Sequence, residues 1–218
     1  MYLTKMELDT GKRETRKALI SPNLLHGAIE SSFPGERERR LWRIDEYQGH
    51  YYLLLLSSQV PDLTAAVRQF GLDGNGPAWR TKSYDPLLAR IRNHSIWQFR
   101  LTANPTKSVK SSEQNVRGTV RAHTTPNHQM QWLLERCQSH GFSIEPEGAI
   151  VVGSQWKRFY KGNNRQHPVS LLAVTFDGLL TVTDEERFRR TLQEGIGRGK
   201  AFGMGLLTVM SPAGVRYE

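Results

Sequence analysis

The sequence predicts an α+β protein built from two tandem ferredoxin-like domains, each with the RRM-like element order βαββαβ. Three observations support this fold class. The 218 residues suffice for one large domain or two of about 100 residues each. Hydrophobic residues make up 38% of the chain, enough for a buried core. Segments with strand and helix periodicity also follow the order βαββαβ twice. We therefore predict an N-terminal domain at 1–91 and a C-terminal domain at 92–218.

In the first half, the spacing of apolar residues predicts four strands and two helices. The first helix begins at Ser21-Pro22, a serine N-cap followed by proline at the first helical position, and ends before Pro34-Gly35. Gln48-Gly49 joins two runs of aromatic and aliphatic residues as a hairpin. In chain order, the elements are a strand at 1–8, a helix at 21–33, strands at 41–47 and 50–58, a helix at 61–70 and a strand at 79–84.

The second half repeats this order. Thr125-Pro126 begins its first helix, and Thr183 to Glu186 has the form of a capping box with Thr183 as the N-cap of the last helix. The basic segment 106–116 is predicted to be a mobile loop. The remaining elements are strands at 96–103, 142–154, 155–160, 169–182 and 206–210, and helices at 125–140 and 183–194.

Several classes of protein are not expected. The longest apolar stretch, 51–56, is far shorter than the roughly 20 residues of a membrane-spanning helix, and the N-terminus has no signal-type apolar run. The single cysteine, Cys137, excludes an internal disulfide and a thiolate zinc site, and its place inside a helix predicts an inert core thiol. We therefore expect a cytoplasmic protein.

The net charge of +9 is concentrated in two segments, which indicates a polyanionic partner. The first segment, 98–122, has one acid, Glu113, and five cations: Arg100, Lys107, Lys110, Arg117 and Arg121. The second segment, 153–168, has no acid and four cations: Lys157, Arg158, Lys161 and Arg165. Both patterns suit phosphate binding, but they also suit a cation-guarded edge strand in the first segment and a solvated hairpin in the second.

The glycine-rich segment 195–205 contains five glycines beside Arg198 and Lys200. Its spacing does not fit a P-loop, and it follows a helix rather than a strand, so it is not a dinucleotide fingerprint. We expect no nucleotide cofactor. One interpretation is that the segment is a helix C-cap with a flexible link. The other is that its glycines, which lack side chains, let the backbone approach a nucleic-acid phosphate closely beside Arg198 and Lys200.

The seven histidines do not occur at a spacing typical of metal ligands, such as His-Glu-x-x-His, so we predict neither a metal site nor another cofactor. His26 is the candidate proton-transfer residue. It lies off the apolar stripe of the first helix and on a polar side shared with Asn23 and Glu30. A solvated histidine is the alternative interpretation.

Four segments, which occur in the same order along the chain, resemble the CasE family of repeat-RNA endoribonucleases from type I-E CRISPR systems. The resemblance runs from residue 1 to about residue 209. Its segments are Met1-Tyr-Leu-Thr-Lys5, Leu25-His26 with Phe33-Pro34, Phe99-Arg-Leu-Thr-Ala-Asn-Pro-Thr-Lys107, and the closing Gly-Ile-Gly-x5-Gly-Met-Gly-Leu-Leu207.

The resemblance implies metal-independent cleavage at the 3′ base of the repeat hairpin. The 2′-hydroxyl attacks the adjacent phosphate and leaves a 2′,3′-cyclic phosphate and a 5′-hydroxyl. His26 matches the family's catalytic histidine, but Asn23 stands where relatives commonly have a tyrosine, and an amide cannot exchange a proton. The groove-inserting hairpin corresponds to Trp156 through Arg165. Implied RNA contacts are Lys157, Arg158, Lys161 and Arg165, with Lys107, Lys110 and Arg117 beside the cut strand.

The sequence thus predicts an endoribonuclease that stays bound to the mature CRISPR RNA within the surveillance complex, whose other subunits are its expected partners. Asn23 leaves a non-catalytic RNA-hairpin-binding subunit as the alternative. A tandem RNA-recognition protein that stacks single strands on its sheets is less well supported, because the Lys/Arg-Gly-aromatic-Gly-aromatic signature is missing.

Overall fold

The computed structural model describes residues 1–35, 38–74, 76–109, 119–161 and 167–212, with residues 161 and 167 described by their backbone alone. Within these residues, two antiparallel sheets carry helices on one face. This arrangement confirms the predicted α+β class with repeated ferredoxin-like topology. Among the described helices, none combines the length and apolar character needed to cross a membrane.

The N-terminal sheet has the strand order β2-β3-β1-β4, in which every neighbouring pair is antiparallel. Alternation along β1 turns Met6 and Leu8 to the helices, and these residues share a core with Leu25 and Ile29. The elements are β1 (Tyr2–Leu8), α1 (Arg13–Ile20), α2 (Asn23–Ser31), β2 (Leu41–Tyr47), β3 (His50–Ser57), α3 (Thr64–Phe70), β4 (Trp79–Ser83) and α4 (Asp85–Arg90).

Two N-terminal helices were missed by the sequence prediction. Helix α1 buries only Thr15 and Ala18, and α4 is six residues long with Leu88 as its buried residue, so neither shows a helical apolar stripe. The predicted start of α2 was also wrong. Pro22 is the N-cap and Asn23 the first helical residue, with no side-chain capping bond.

The C-terminal sheet has the order β11-β5-β10-β8, and β9 pairs with β10. Its buried strand residues include Phe99 and Phe176, which pack with Phe188 of the last helix. The elements are β5 (Ile96–Ala103), β6 (Thr106–Val109), β7 (Thr119–Ala122), α5 (Pro126–Cys137), a 3₁₀ turn (Gln138–His140), β8 (Phe142–Ser143), β9 (Ala149–Lys161), β10 (His167–Val182), α6 (Glu185–Glu194), a second 3₁₀ turn (Lys200–Phe202) and β11 (Leu207–Met210).

Three C-terminal predictions require correction. The two strands predicted at 142–154 and 155–160 are the short β8 and a continuous β9, whose register against β10 shifts next to Thr175. Part of the predicted mobile loop, Thr106–Val109, is strand β6 paired with β7. The remainder of that loop prediction, 110–116, lies outside the described residues. The N-cap of α6 is Asp184, whose side chain accepts from the Arg187 amide, rather than Thr183.

The two halves meet through packed side chains. Leu41 and Leu56, on the face of the N-terminal sheet opposite its helices, belong to the hydrophobic core of the C-terminal half together with Ile91. Cys137 is buried in the same core, as predicted, and burial raises the pKa of its thiol to about 12. Apolar contact therefore holds the two sheets against each other.

A buried arginine joins the sheets by hydrogen bonds. The Arg43 side chain on β2 is 2% exposed and forms an ion pair with Asp45 at 2.6 Å. Its Nη1 donates to the carbonyl oxygens of Arg100 at 2.8 Å and Leu206 at 2.9 Å, and its Nη2 donates to Thr208 Oγ1 at 2.8 Å. One guanidinium therefore connects the N-terminal sheet to β5 and to the start of β11.

Replacing Arg43 by methionine is expected to lower the free energy of unfolding by about 3–5 kcal/mol, because the change leaves the Asp45 carboxylate and two carbonyl oxygens without this cation. Urea unfolding at constant m-value measures the loss. Arg80→Met is the matched control on the exposed side of β4, with an expected change within about 0.5 kcal/mol. Equal effects of the two substitutions would contradict the assigned role of Arg43.

Candidate active site

Helix α2 presents His26 to a pocket at the contact between the two halves of the chain. Leu25 and Ile29 of α2 are buried against the sheet, which leaves the His26 side chain 38% exposed on the adjoining side. The pocket has a volume of about 670 Å³, and residues 197–201 of the glycine-rich segment line it together with His26. The structure thus brings together two features that the sequence singled out independently.

Left-handed backbone explains the glycines of segment 195–205. All five have positive φ, between +72° and +89°. A Cβ at Gly203 would lie 2.7 Å from the Trp42 ring, so a side chain there would clash as well as strain the backbone. Gly195 ends α6, as one of the two interpretations predicted, and the Gly205 amide donates to the Thr102 carbonyl at 2.7 Å. The segment is therefore hydrogen-bonded to β5.

Aromatic contacts connect His26 to the C-terminal half. Phe202, in the 3₁₀ turn within the glycine-rich segment, meets the His26 ring in an edge-to-face arrangement with the ring centroids 6.3 Å apart. The centroid of the Phe202 ring also lies 4.9 Å from that of Phe159 on β9. His26 is thus in contact with a residue that also touches the base of the predicted RNA-binding hairpin.

Two polar residues flank His26 on α2. Glu30, one turn later, has its Oε1 4.0 Å from His26 Nδ1, and its Oε2 lies 3.4 Å from Arg40 Nη1. Asn23, one turn earlier, has a buried Oδ1 with no hydrogen-bond partner among the described residues. The neighbouring groups on the helix are therefore a carboxylate on one side of the imidazole and an amide on the other.

Arg198 and Lys200 supply positive charge to the same pocket. Arg198 is exposed. The Lys200 ammonium donates to the carbonyl oxygens of Glu194 at 2.6 Å and Gly195 at 3.0 Å, at the C-terminal end of α6. Burial, and secondarily the nearby Arg39, lowers the pKa of Lys200. Glu30 and Glu38 also line this open pocket, but its four cations outnumber them. The cations are suited to holding a phosphodiester, and the half-exposed imidazole is suited to moving a proton.

The predicted basic hairpin has two different faces. On one face, Lys157 donates to the Leu19 carbonyl at 3.0 Å, burial lowers the pKa of its ammonium, and Phe159 is 5% exposed. On the other face, Trp156 and Tyr160 are exposed, and the Arg158 guanidinium lies over the Trp156 ring, 5.7 Å from its centroid. Lys157 and Arg158 therefore point in opposite directions.

The other predicted RNA contacts are described in part. Lys161 pairs with His167 at the end of β9, with only its backbone described, and Arg165 lies outside the described residues. Lys107 is exposed on β6, whereas Lys110 and Arg117 also lie outside the described residues.

Sequence reasoning missed several neighbours of the predicted site. Phe202, Phe159 and Arg40 come from three separate parts of the chain, and no spacing signal connects them to His26. His123 and His128, whose spacing in the sequence did not indicate a metal site, lie with their ring centroids 5.7 Å apart. Burial, then Lys107, lowers the pKa of His123. Arg100 of the first basic segment is neutralised by Asp177, with Nε and Oδ1 2.7 Å apart.

Comparison with known proteins gives consistent matches along the chain. A family model described as "CRISPR associated protein" matches residues 1–211. The chain is 30% identical over 223 residues to the CRISPR-associated endoribonuclease Cse3 of Thermus thermophilus, covering 96% of this chain and 99% of Cse3. It is 27% identical over 117 residues to the CRISPR system Cascade subunit CasE of Escherichia coli, covering 51% of this chain and 56% of CasE.

A solved structure is similar over the same extent. The CRISPR endoribonuclease Cse3 bound to 19 nt RNA superposes with a TM-score of 0.78 at 28% identity, covering 96% of this chain and 100% of that chain. The similarity therefore includes both sheets and the segments that form the pocket.

Proposed function

The chain belongs to the CRISPR-associated protein family, as a member of the group that includes Cse3 and CasE, and we propose that it is the endoribonuclease that processes CRISPR repeat RNA in a type I-E system. The observation that carries this proposal is the pocket that His26, Arg198 and Lys200 line together, in a chain that matches an endoribonuclease over 96% of its length. Similarity to Cse3 with RNA bound supports the substrate class.

The proposed reaction needs no metal. The ribose 2′-oxygen attacks the adjacent phosphorus, the bond from phosphorus to the 5′-oxygen breaks, and the products are a 2′,3′-cyclic phosphate and a 5′-hydroxyl. The 2′-hydroxyl loses its proton, and the 5′-oxygen gains one. His26 touches the reacting atoms and transfers one of these protons, work for which an imidazole is suited near neutral pH, and solvent water exchanges the other.

Other groups in the pocket stabilise charge rather than move protons. Arg198 and Lys200 bind the phosphate oxygens, on which negative charge grows as the 2′-oxygen attacks. Asn23, one turn before His26, is not among the described residues that line the pocket, and its amide donates or accepts hydrogen bonds without exchanging a proton. His26 is therefore the single acid/base residue in this proposal.

RNA binding is assigned to cations outside the pocket. Arg158, Lys161 and Arg165 of the hairpin contact phosphates of the repeat stem, because the deep and narrow major groove of an RNA helix exposes its backbone to a thin cationic hairpin. Lys157 contributes at the foot of the hairpin, where its ammonium is held by Leu19. Lys107, Lys110 and Arg117 are assigned to phosphates of the strand that is cut.

The enzyme works in the cytoplasm and keeps the product hairpin within the surveillance complex, whose other subunits are its protein partners. The name of the E. coli relative, a Cascade subunit, supports this assignment. The domain boundary near Ile91 remains part of the proposal, with the catalytic histidine in 1–91 and the RNA-binding hairpin in 92–218.

A second candidate function is a non-catalytic subunit that binds the RNA hairpin. Asn23 is the observation that favours it, because this amide stands where the resemblance implies a tyrosine. The two functions differ in their dependence on His26, which only the enzyme needs.

We expect His26→Ala to slow single-turnover cleavage of the repeat hairpin by about 10²- to 10⁴-fold, the usual contribution of a general acid or base. Hairpin affinity is expected to stay within a few fold, because the stem is bound elsewhere. His50→Ala is the matched control. This exposed histidine, paired with Glu7 at 2.7 Å, lies away from the pocket, and its loss should leave cleavage unchanged. Wild-type cleavage by His26→Ala would overturn the assignment.

Replacing Arg158, Lys161 and Arg165 together by glutamine, with Lys157 retained, is expected to weaken hairpin binding and flatten its salt dependence. Three lost phosphate contacts reduce the slope of log affinity against log salt by roughly two to three units. Fluorescence anisotropy across a salt series gives this slope. The control carries the same charge change at three exposed cations of the N-terminal half, Arg68, Arg80 and Lys82. Identical slopes for the two variants would remove the hairpin from the binding surface.

A further inference from the structure

We propose that Glu30 is a positioning residue that holds the His26 imidazole by Nδ1 and that Arg40 holds Glu30 in place. This inference rests on the proposed role of His26 and goes beyond it. The three side chains follow one another in space, with 4.0 Å between His26 Nδ1 and Glu30 Oε1 and 3.4 Å between Glu30 Oε2 and Arg40 Nη1. Each Glu30 oxygen thus faces a different partner.

Arg40 is held firmly enough to act as a support. Its side chain is 4% exposed, and its guanidinium lies over the Phe33 ring, 4.0 Å from the centroid. Nη1 also approaches the Glu38 carbonyl at 3.4 Å. A buried cation requires a compensating anion, and Glu30, 18% exposed, supplies it. Phe33 therefore fixes the Arg40 guanidinium, and the guanidinium fixes the position of the Glu30 carboxylate.

The contact with Nδ1 determines which imidazole nitrogen faces the RNA. A carboxylate accepts hydrogen bonds but donates none, so it favours the tautomer with the proton on Nδ1. The other nitrogen, Nε2, is then left to accept a proton in the pocket. The 4.0 Å separation is longer than a hydrogen bond, as is common in catalytic sites without substrate, and we expect it to shorten when RNA fills the pocket.

The second support of the ring is apolar. Phe202 meets the His26 ring edge-to-face from the glycine-rich segment, on a different structural element from Glu30. Phe202 limits where the ring lies, whereas the carboxylate selects its tautomer. The substitution Glu30→Gln separates these two effects, because glutamine keeps the size of the side chain but offers an NH₂ group that donates to Nδ1 and stabilises the opposite tautomer.

Glu30→Gln is expected to slow single-turnover cleavage at saturating protein by about 10- to 100-fold, the range typical of carboxylates that orient metal-binding histidines. Hairpin affinity should change less than threefold, a split between rate and binding that a general loss of structure would not produce. Glu14→Gln is the matched control. Glu14 pairs with Lys17 at 2.7 Å on the exposed side of α1, and its loss should alter neither quantity.

A spectroscopic measurement on the free protein completes the test. Long-range ¹H–¹⁵N correlation at pH 8 reports the tautomer of His26, with the His26→Ala spectrum assigning its signals. We expect the Nδ1-protonated form to predominate in the wild type and in Glu14→Gln, and the Nε2-protonated form to increase in Glu30→Gln.

The outcomes distinguish this inference from the proposed function. Wild-type cleavage by His26→Ala would overturn the proposed function itself. If His26→Ala is inactive, the positioning role is overturned by wild-type cleavage in Glu30→Gln, by equal losses of rate and affinity, or by an unchanged tautomer ratio.

Discussion

The hydrogen bonds of Arg43 across the two sheets are the interaction on which the candidate site depends. One buried guanidinium on β2 binds the carbonyl oxygens of Arg100 and Leu206, which lie on β5 and immediately before β11. Leu206 directly follows the glycine-rich segment, and Trp42, next to Arg43, packs against Gly203 inside it. Two neighbouring residues of β2 thus contact both the C-terminal sheet and the glycine-rich segment 195–205, which lines the His26 pocket. Because His26 belongs to one half of the chain and Arg198 and Lys200 to the other, the pocket forms where the two halves meet.

The backbone conformation of its glycines allows segment 195–205 to line the pocket. Five left-handed glycines between α6 and β11 let the chain turn tightly, bond to Thr102 and place a 3₁₀ turn against α2. Side chains at these positions would add strain, and at Gly203 also a clash with the Trp42 ring. The segment therefore serves two purposes. Its backbone fits the contact between the two halves. Its side chains Arg198 and Lys200 line the pocket where His26 lies, and Phe202 contacts the His26 ring.

Prediction from sequence succeeded where a local pattern determines the structure. The hairpin of β2 and β3 and the strand β5 follow from runs of apolar residues, and His26 stood out because it lies off the apolar stripe of its helix. Helix α1 was missed because tertiary contacts stabilise it, such as the Thr15 hydroxyl bonded to the Phe70 carbonyl at 3.0 Å. The opposite faces taken by Lys157 and Arg158 follow from strand alternation. Which of these two faces of β9 packs against α1 is determined by the contact between the two halves of the chain, and alternation alone does not reveal it. Arg40 reaches Glu30, and Phe202 reaches His26, only through packing between distant segments, which no spacing along the chain reveals.

The central claim is that a ribose hydroxyl, assisted by His26, cuts the repeat RNA without a metal ion. The most direct test is single-turnover cleavage, in chelator, of a repeat hairpin that carries one 2′-deoxy nucleotide immediately 5′ of the cut, with the all-ribose hairpin in parallel. The account predicts that the all-ribose RNA is cut to a 2′,3′-cyclic phosphate end while the deoxy substrate is bound but left intact. Cleavage of the deoxy substrate at the normal rate would identify water as the nucleophile and contradict the mechanism.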